Sequence, residues 1–313
     1  MNECINILCA TDAAYVPYCA VMLTSVFECN KNERINVYVL IDKPLPAKAQ
    51  KRFLRLAEQY NNSISFLHID KSFVQDVPVN GMDYWSVATY YRLYAAELLP
   101  DTVHRILYLD CDIVVNGSLH ELYQTDLTDK ALAAADDIYI YTDARQNNLG
   151  YPPAAGYFNA GVLLINVDYW RRNQVGKQCL SFLAAHHDSL EANDQDVLNA
   201  VLWNVRVPLP LACNYQIQFL SKHFFALQSE EKKQEILDAY SRPLVIHYAY
   251  YIKPWAILYY KKPFLSEWQH YQRLSPWRHV LPSLPKRKTI NYIIKRYLLW
   301  PLGWMHYDSG FIV

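Results

Sequence analysis

The constraint that narrows the fold most is an alternation in the first seventy residues. Ile5 to Ala10, Ile35 to Ile41 and Ile64 to Ile69 are apolar runs of strand length. Between the first two, Pro17 stands where a helix can begin, and Cys19, Val21, Met22, Val26 and Phe27 supply its apolar face. Turn residues Asp42, Pro44 and Pro46 close the second run. Ala47 to Tyr60 then spaces Phe53, Leu54 and Ala57 as a helix would. Strands that alternate with helices return in one direction and are covered on both faces. The pattern predicts a mostly parallel α/β sheet. Ligands of such sheets bind beyond the carboxyl ends of the strands.

The stretch Arg105 to Asn116 puts chemistry at such an end. Ile106 to Leu109 reads as a buried strand, and Asp110 and Asp112 follow, one residue apart. On an extended chain they project together while Cys111 faces away. Two like charges repel unless a cation sits between them. A divalent metal with oxygen ligands is the economical candidate, and a solvated strand cap is the plain alternative. Asp12 ends the first strand in the same way, either as a helix cap or against a ligand.

Other polar residues punctuate later elements. Ser86 to Leu99 reads as a helix stopped by Pro100. Its one cation, Arg92, either faces solvent or reaches a phosphate or the Asp pair. Ala131 to Ala135 is a short strand followed by Asp136 and Asp137. Asn159 and Gly161 open another strand, with small residues that let a ligand approach the backbone. Asn193 or Asp194 can cap a helix carrying Val197, Leu198, Val201 and Leu202. Capping does not account for Asp194, Gln195 and Asp196 together, which suggests a ligand role for one of them. Leu244 to Ile246 ends in His247, with Lys253 six residues on, a pairing that offers a metal ligand and a phosphate contact.

Bulk composition bounds the partners. Thirty basic and thirty acidic residues cancel, so no global field selects nucleic acid. The 26 Tyr suggest rings presented to sugars, lipids or partners. Seven cysteines cannot all pair, and Cys9, Cys19 and Cys111 lie in apolar runs as small core residues. With no signal peptide in view, this favours a reducing cytoplasmic compartment. No run is long and apolar enough to span a membrane.

Strand-Asp-x-Asp suits two enzyme classes. One is a phosphohydrolase of the haloacid dehalogenase type with Asp110 as nucleophile. The other is a nucleotide-sugar glycosyltransferase in which the pair grips a metal and diphosphate. The phosphohydrolase motif usually opens its domain, whereas several strand–helix units come first here. Beside both stands a non-catalytic sugar-binding relative.

The ordered set Ala10-Thr-Asp12, Thr89-Tyr-Tyr-Arg92, Leu107-Tyr-Leu-Asp-Cys-Asp112, Phe158-Asn-Ala-Gly161, Asp194-Gln-Asp-Val-Leu-Asn199 and His247…Lys253-Pro-Trp255 resembles glycosyltransferase family eight. That group includes bacterial lipooligosaccharide and lipopolysaccharide galactosyl- and glucosyltransferases and, more distantly, glycogenin. The resemblance implies a Rossmann-like fold of the glycosyltransferase A type and retaining transfer of a hexose from UDP-galactose or UDP-glucose to a saccharide. It implies Mn²⁺ (or Mg²⁺) held by Asp110, Asp112 and His247, and Ala10, Thr11, Asp12 and Cys111 in nucleotide binding. Lys253 falls at the diphosphate. Arg92, Asp137, Asn159, Ala160, Asp194 and Gln195 surround the donor sugar. Two positions depart from the family pattern: Tyr250 stands where Gly is usual, and Ala14 replaces a polar residue.

From Pro263 the composition changes. Trp268, Trp277, Tyr292, Tyr297, Trp300 and Trp304 alternate with Arg278, Lys286, Arg287, Lys288, Lys295 and Arg296, and Ile290, Ile293, Ile294 and Leu298 share a helical face. This predicts a catalytic domain over residues 1–262. Residues 263–313 would be a basic aromatic segment lying on anionic lipid at the inner face of the cell membrane, close to a lipid-linked acceptor.

Overall fold

The computed structural model describes residues 4–70, 87–138, 149–249, 252–259, 262–283 and 310–313. Its strands are β1 (Ile5–Ala10), β2 (Ile35–Ile41), β3 (Ser63–His68), β4 (Arg105–Leu109), β5 (Ile113–Val115), β6 (Leu132–Ala135), β7 (Val162–Asn166), β8 (Arg206–Leu209), β9 (Tyr215–Gln216) and β10 (Val245–His247). Seven of them form one sheet in the order β3-β2-β1-β4-β7-β6-β8. The strand pairs from β3 to β4 are parallel, as is β6 with β8. β7 runs against both of its neighbours. The expected α/β sheet is therefore present, with one reversed strand inside it. The reversal puts the start of β7, rather than its end, at the edge where β1, β4 and β6 finish.

Both faces of this sheet are covered, as the near-continuous apolar strands require. Ile7, Cys9, Leu107 and Leu109 pack on one side with the helices Val16–Cys29 and Ala47–Gln59. Leu8, Ile106 and Tyr108 face the other side, alternating as a pleated strand must. Cys19 through Phe27 are all buried, so this first helix has no solvent face. A second sheet explains why: β5, β10 and β9 lie in that order, and the helix packs against β5 as well as the main sheet.

Several local expectations change. In the second helix Leu56 is buried and Leu54 is 43% exposed. The stripe is Phe53, Leu56 and Ala57, the i, i+3, i+4 set that points inward. The expected helix at 86–99 is a 3₁₀ run over Val87–Tyr94 followed by one α turn, Ala95–Leu98. Tyr90, Tyr91, Leu93 and Tyr94 are buried in it and Arg92 is 4% exposed, so the solvent-facing alternative for that arginine fails. All seven cysteines are free, with Cys9, Cys19 and Cys111 in the core.

The helix Leu265–Leu274 packs on the first helix: Trp268 and Tyr271 join Val21, Tyr248, Trp255 and Tyr259. Trp277 packs beside Phe53 under the guanidinium of Arg52. These two tryptophans are core residues rather than lipid-facing ones. Lys286 to Trp304, and Tyr250, lie outside the described residues. Phe311 is buried and pairs with Ser221, so the chain's last residues return to the domain. Among the described residues no helix is long and apolar enough to cross a membrane.

Candidate active site

β4 ends at Leu109, and the chain turns through Asp110, Cys111 and Asp112 before β5 begins at Ile113. The pair therefore sits on a turn between two sheets and not on extended strand. The carboxylates still meet, because both sheets hold that turn. Asp110 donates its N–H to Gly161 O at the start of β7, 2.9 Å. Asp112 O accepts the N–H of Tyr248, 2.9 Å, one residue past His247. His247 faces Ile113 in the antiparallel pairing of β10 with β5. Ligand atoms of Asp110, Asp112 and His247 all lie within 4.8 Å of one another. Cys111 turns away, its thiol donating to Ala10 O at 3.0 Å.

Each of the two carboxylates has a cation of its own. Lys253 Nζ donates to Asp112 Oδ2 at 2.6 Å. Burial alone would raise the Asp112 carboxyl, but the Lys253 ammonium beside it overrides this and holds the group far below the usual range. Arg92 Nη2 and the Tyr108 hydroxyl both donate to Asp110 Oδ1, at 3.0 and 2.9 Å. The guanidinium also lies 4.2 Å over the Tyr108 ring, and it donates to Ala160 O through Nη1. Its Nε is 2.9 Å from Asp194 Oδ2, although that N–H is donated to Thr89 O. Burial dominates at Asp194 and, against the pull of Arg92, pushes its carboxyl up to about 7.

A second group of side chains adjoins the first. Asp137 Oδ2 accepts from Asn159 Nδ2 at 2.7 Å and from Gln195 Nε2 at 3.1 Å. Gln195 Oε1 accepts the N–H of Ala160, 2.9 Å. Its neighbour Asp136 is instead tied to Arg206 at 2.7 Å, so of the adjacent acids Asp137 joins the network. Asp194 and Gln195 open the helix Asp194–Leu202, but neither Asn193 nor Asp194 caps it with a side chain. Asp196 does the polar work there, accepting from Glu191 and Ala192 N–H at 2.7 Å. At the end of β1, Thr11 is buried and Asp12 Oδ1 accepts from Ala14 and Tyr15 N–H, 2.8 and 2.9 Å. Asp12 thus closes the turn ahead of the first helix with one oxygen, while the helix itself starts from Tyr15 without a side-chain cap.

Sequence reasoning missed three contributors. Tyr108 lies two residues before Asp110, a spacing that could have flagged it. Tyr15 packs edge-on to Trp255, and burial with the Asp112 charge raises its phenol. Asn214 is fully buried and hydrogen-bonds His247, with no periodic or motif signal around it. Gly161 also has a different task from the one expected. A Cβ there would sit 2.8 Å from His247 Nδ1 and closer still to Cε1, so its bareness admits the imidazole rather than a ligand.

Residues 6–258 match the model of glycosyl transferase family 8. The chain belongs to that family. This glycosyltransferase is 30% identical over 258 residues to the lipopolysaccharide 1,3-galactosyltransferase of Salmonella typhimurium, covering 80% of this chain and 72% of that one. It is 29% identical over 255 residues to the lipopolysaccharide 1,2-glucosyltransferase of Escherichia coli, with 81% and 73% covered. Its fold is that of the galactosyltransferase LgtC, crystallised with donor and acceptor sugar analogues: TM-score 0.77 at 24% identity, over 90% of this chain and 98% of that one. The glycosyltransferase A type fold stands, and the phosphohydrolase reading of Asp110 is set aside.

Two carboxylates and one imidazole are a donor set for a hard or borderline divalent cation such as Mn²⁺ or Mg²⁺. Replacing Gly161 with Ala should push the His247 ring aside and weaken Mn²⁺ binding by about tenfold or more, read by titration of the full chain. Unchanged binding would mean the ring is not held there. Asp194 gives a pH signature. A carboxyl whose pKa is raised on folding stabilises the fold at low pH, and that contribution is lost as pH rises through the folded value. Relative to Asp194→Asn, the wild type should therefore lose stability from about pH 4 to about pH 7 and level off above, given an unfolded pKa of about 3.9. Urea midpoints of the two proteins test this, and parallel curves would contradict it.

Proposed function

We propose that this glycosyltransferase moves a hexose from UDP-galactose or UDP-glucose to a saccharide acceptor, with retention at the anomeric carbon. The observation that carries the reading is the joint site: Asp110, Asp112 and His247 within 4.8 Å, with Lys253 beside them. Asp110, Asp112 and His247 would hold Mn²⁺ (or Mg²⁺). A cation there neutralises the charge that builds on the leaving diphosphate. Lys253 and Arg92 add fixed positive charge to the same region, where it acts most strongly when water is excluded. Lys253 is well supported for this, since Trp255 stacks on Tyr18 at 3.7 Å and anchors the segment. Ala10, Thr11, Asp12 and the backbone of Cys111 would lie along the nucleotide. Asp137, Asn159, Ala160, Asp194 and Gln195 would surround the sugar.

Gln195 would lie near the anomeric carbon. An amide is a weak nucleophile, and here its oxygen already accepts the Ala160 N–H. A same-face displacement, in which the leaving phosphate oxygen takes the proton of the acceptor hydroxyl, suits these residues better than a covalent intermediate. The test is UDP release from each donor with Mn²⁺. Asp112→Ala should lower turnover by about 100-fold or more, since it removes a group acting on the departing charge. Equal turnover in the two proteins would end the metal reading, and no turnover of any UDP-hexose by wild type would favour a sugar-binding protein.

The lipopolysaccharide transferases among the relatives support a lipid-linked acceptor such as lipopolysaccharide core. The composition of residues 284–309 supports attachment to the cytoplasmic face of an anionic membrane, with residues 1–262 as the catalytic unit. Because Phe311 is embedded in the domain, charge reversal tests this more cleanly than truncation. Lys286→Glu, Arg287→Glu and Lys288→Glu together should lower the affinity for phosphatidylglycerol vesicles, read by co-sedimentation, by about 100-fold or more, at roughly 1 kcal/mol per charge. Unchanged co-sedimentation would end the membrane proposal.

A further inference from the structure

We infer that Asn214 is the positioning residue that joins the metal side of the site to its sugar side. It fixes which nitrogen of His247 faces Asp110 and Asp112, and with its other end it orients Asn159 toward Asp137. This rests on the metal–diphosphate reading above and names a residue that reading does not use.

Asn214 ends a 3₁₀ turn, Leu211–Asn214, and leads directly into β9. β9 runs parallel to β10, with Tyr215 beside Ile246 and Gln216 beside His247. The side chain of Asn214 is fully buried between β10 and the start of β7. Its Oδ1 is 2.9 Å from His247 Nδ1, and its Nδ2 donates to Asn159 Oδ1 at 2.8 Å.

The direction of every bond in this chain follows from one backbone group. The N–H of Gly161 can only donate, and it donates to Asn159 Oδ1 at 2.9 Å. That makes the Asn159 oxygen an acceptor and turns Asn159 Nδ2 toward Asp137 Oδ2, 2.7 Å away. The atom of Asn214 facing Asn159 Oδ1 must then be the donor, Nδ2, which leaves its oxygen facing His247. His247 Nδ1 must therefore carry the proton, and Nε2 keeps the free lone pair. Nε2 is the nitrogen that looks toward the acids, 3.4 Å from Asp112 Oδ1 and 3.9 Å from Asp110 Oδ2. An imidazole that ligates a cation through one nitrogen and donates from the other is held in both tautomer and tilt. The bare Gly161 leaves the space that the ring needs in this tilt.

Gln216, also fully buried, extends the same strap. Its Oε1 accepts the N–H of Ile138 at 3.2 Å and its Nε2 donates to Asp136 O at 3.0 Å, on both sides of Asp137. One short strand thus holds His247 and Asp137 in register with each other.

The test titrates the full chain with MnCl₂ alone, followed by the electron paramagnetic resonance of free Mn²⁺, in parallel with UDP-hexose kinetics. Asn214→Leu removes both hydrogen bonds at similar volume and should weaken Mn²⁺ binding about 10- to 100-fold. Asn214→Asp keeps an acceptor for His247 but has no donor for Asn159. It should hold Mn²⁺ within about threefold of wild type while kcat falls about tenfold or more. A residue that merely fills space would not separate the two readouts. Wild-type Mn²⁺ affinity in a folded Asn214→Leu protein overturns the inference, as does loss of Mn²⁺ affinity in Asn214→Asp. If Asn214→Leu does not fold, the Asp variant alone decides. His247→Ala separates the two levels: if it leaves the Mn²⁺ titration unchanged, the metal reading itself has failed. If it weakens binding while Asn214→Leu does not, only the role of Asn214 has failed.

Discussion

The pairing of β10 with β5 is the interaction on which the site depends. β5 is three residues long, and its partner comes from late in the chain. That short ladder places His247 beside the Asp110–Asp112 turn, with the Tyr248 amide on the Asp112 carbonyl. Without it, Asp110 would keep Arg92 and Tyr108, but neither acid would face His247. With it, the turn is clamped from the main sheet by Gly161 and from the small sheet by Tyr248. Backbone hydrogen bonds are short-range and directional, so the acids are set by main chain and not by flexible side chains. The first helix, buried all round between the two sheets, keeps them in place.

Around that turn the protein concentrates charge that it must also neutralise. Asp110, Asp112, Asp137 and Asp194 lie in one region, and a buried carboxylate is costly unless it is paired or hydrogen-bonded. Each is handled differently. Lys253 pairs with Asp112, and Arg92 and Tyr108 share Asp110. Asn159 and Gln195 donate to Asp137 without bringing charge. Asp194 shares Arg92 with Asp110, and its burial still raises the carboxyl. The result is a site in which Lys253 and Arg92 already face the acid pair.

Much of this was legible in the chain. The β1–β3 alternation, the apolar run before Asp110, and the strands ahead of Asp136 and His247 are local patterns. Apolar spacing reports them because each element's period is intrinsic to the backbone. Asn159 and His247 could be singled out as polar residues at strand ends, Arg92 as the lone cation of its helix, Gln195 at a helix start, Lys253 by its spacing from His247, and Asp137 through the family resemblance. The second sheet was not legible. β5 and β9 are too short to carry a period, and the Asp pair read as extended chain when it occupies a turn. Asn214 was invisible for the same reason: an asparagine in a short irregular stretch has no local mark of what it touches. The 3₁₀ course of Val87–Tyr94 was hidden because a dense run of tyrosines fits either helix until the packing is known.

The sequence by itself determined the class of fold, the edge of the sheet where ligands meet it, and the residue types that gather there. These follow from periodicity and from the cost of leaving apolar strands uncovered. Only the tertiary structure decided that β7 runs backward so that its start reaches the same edge, and which nitrogen of His247 faces the acids. Those are relations between segments distant in sequence. They are settled by hydrogen-bond direction and by the absence of a Cβ at Gly161, neither of which a local pattern can carry.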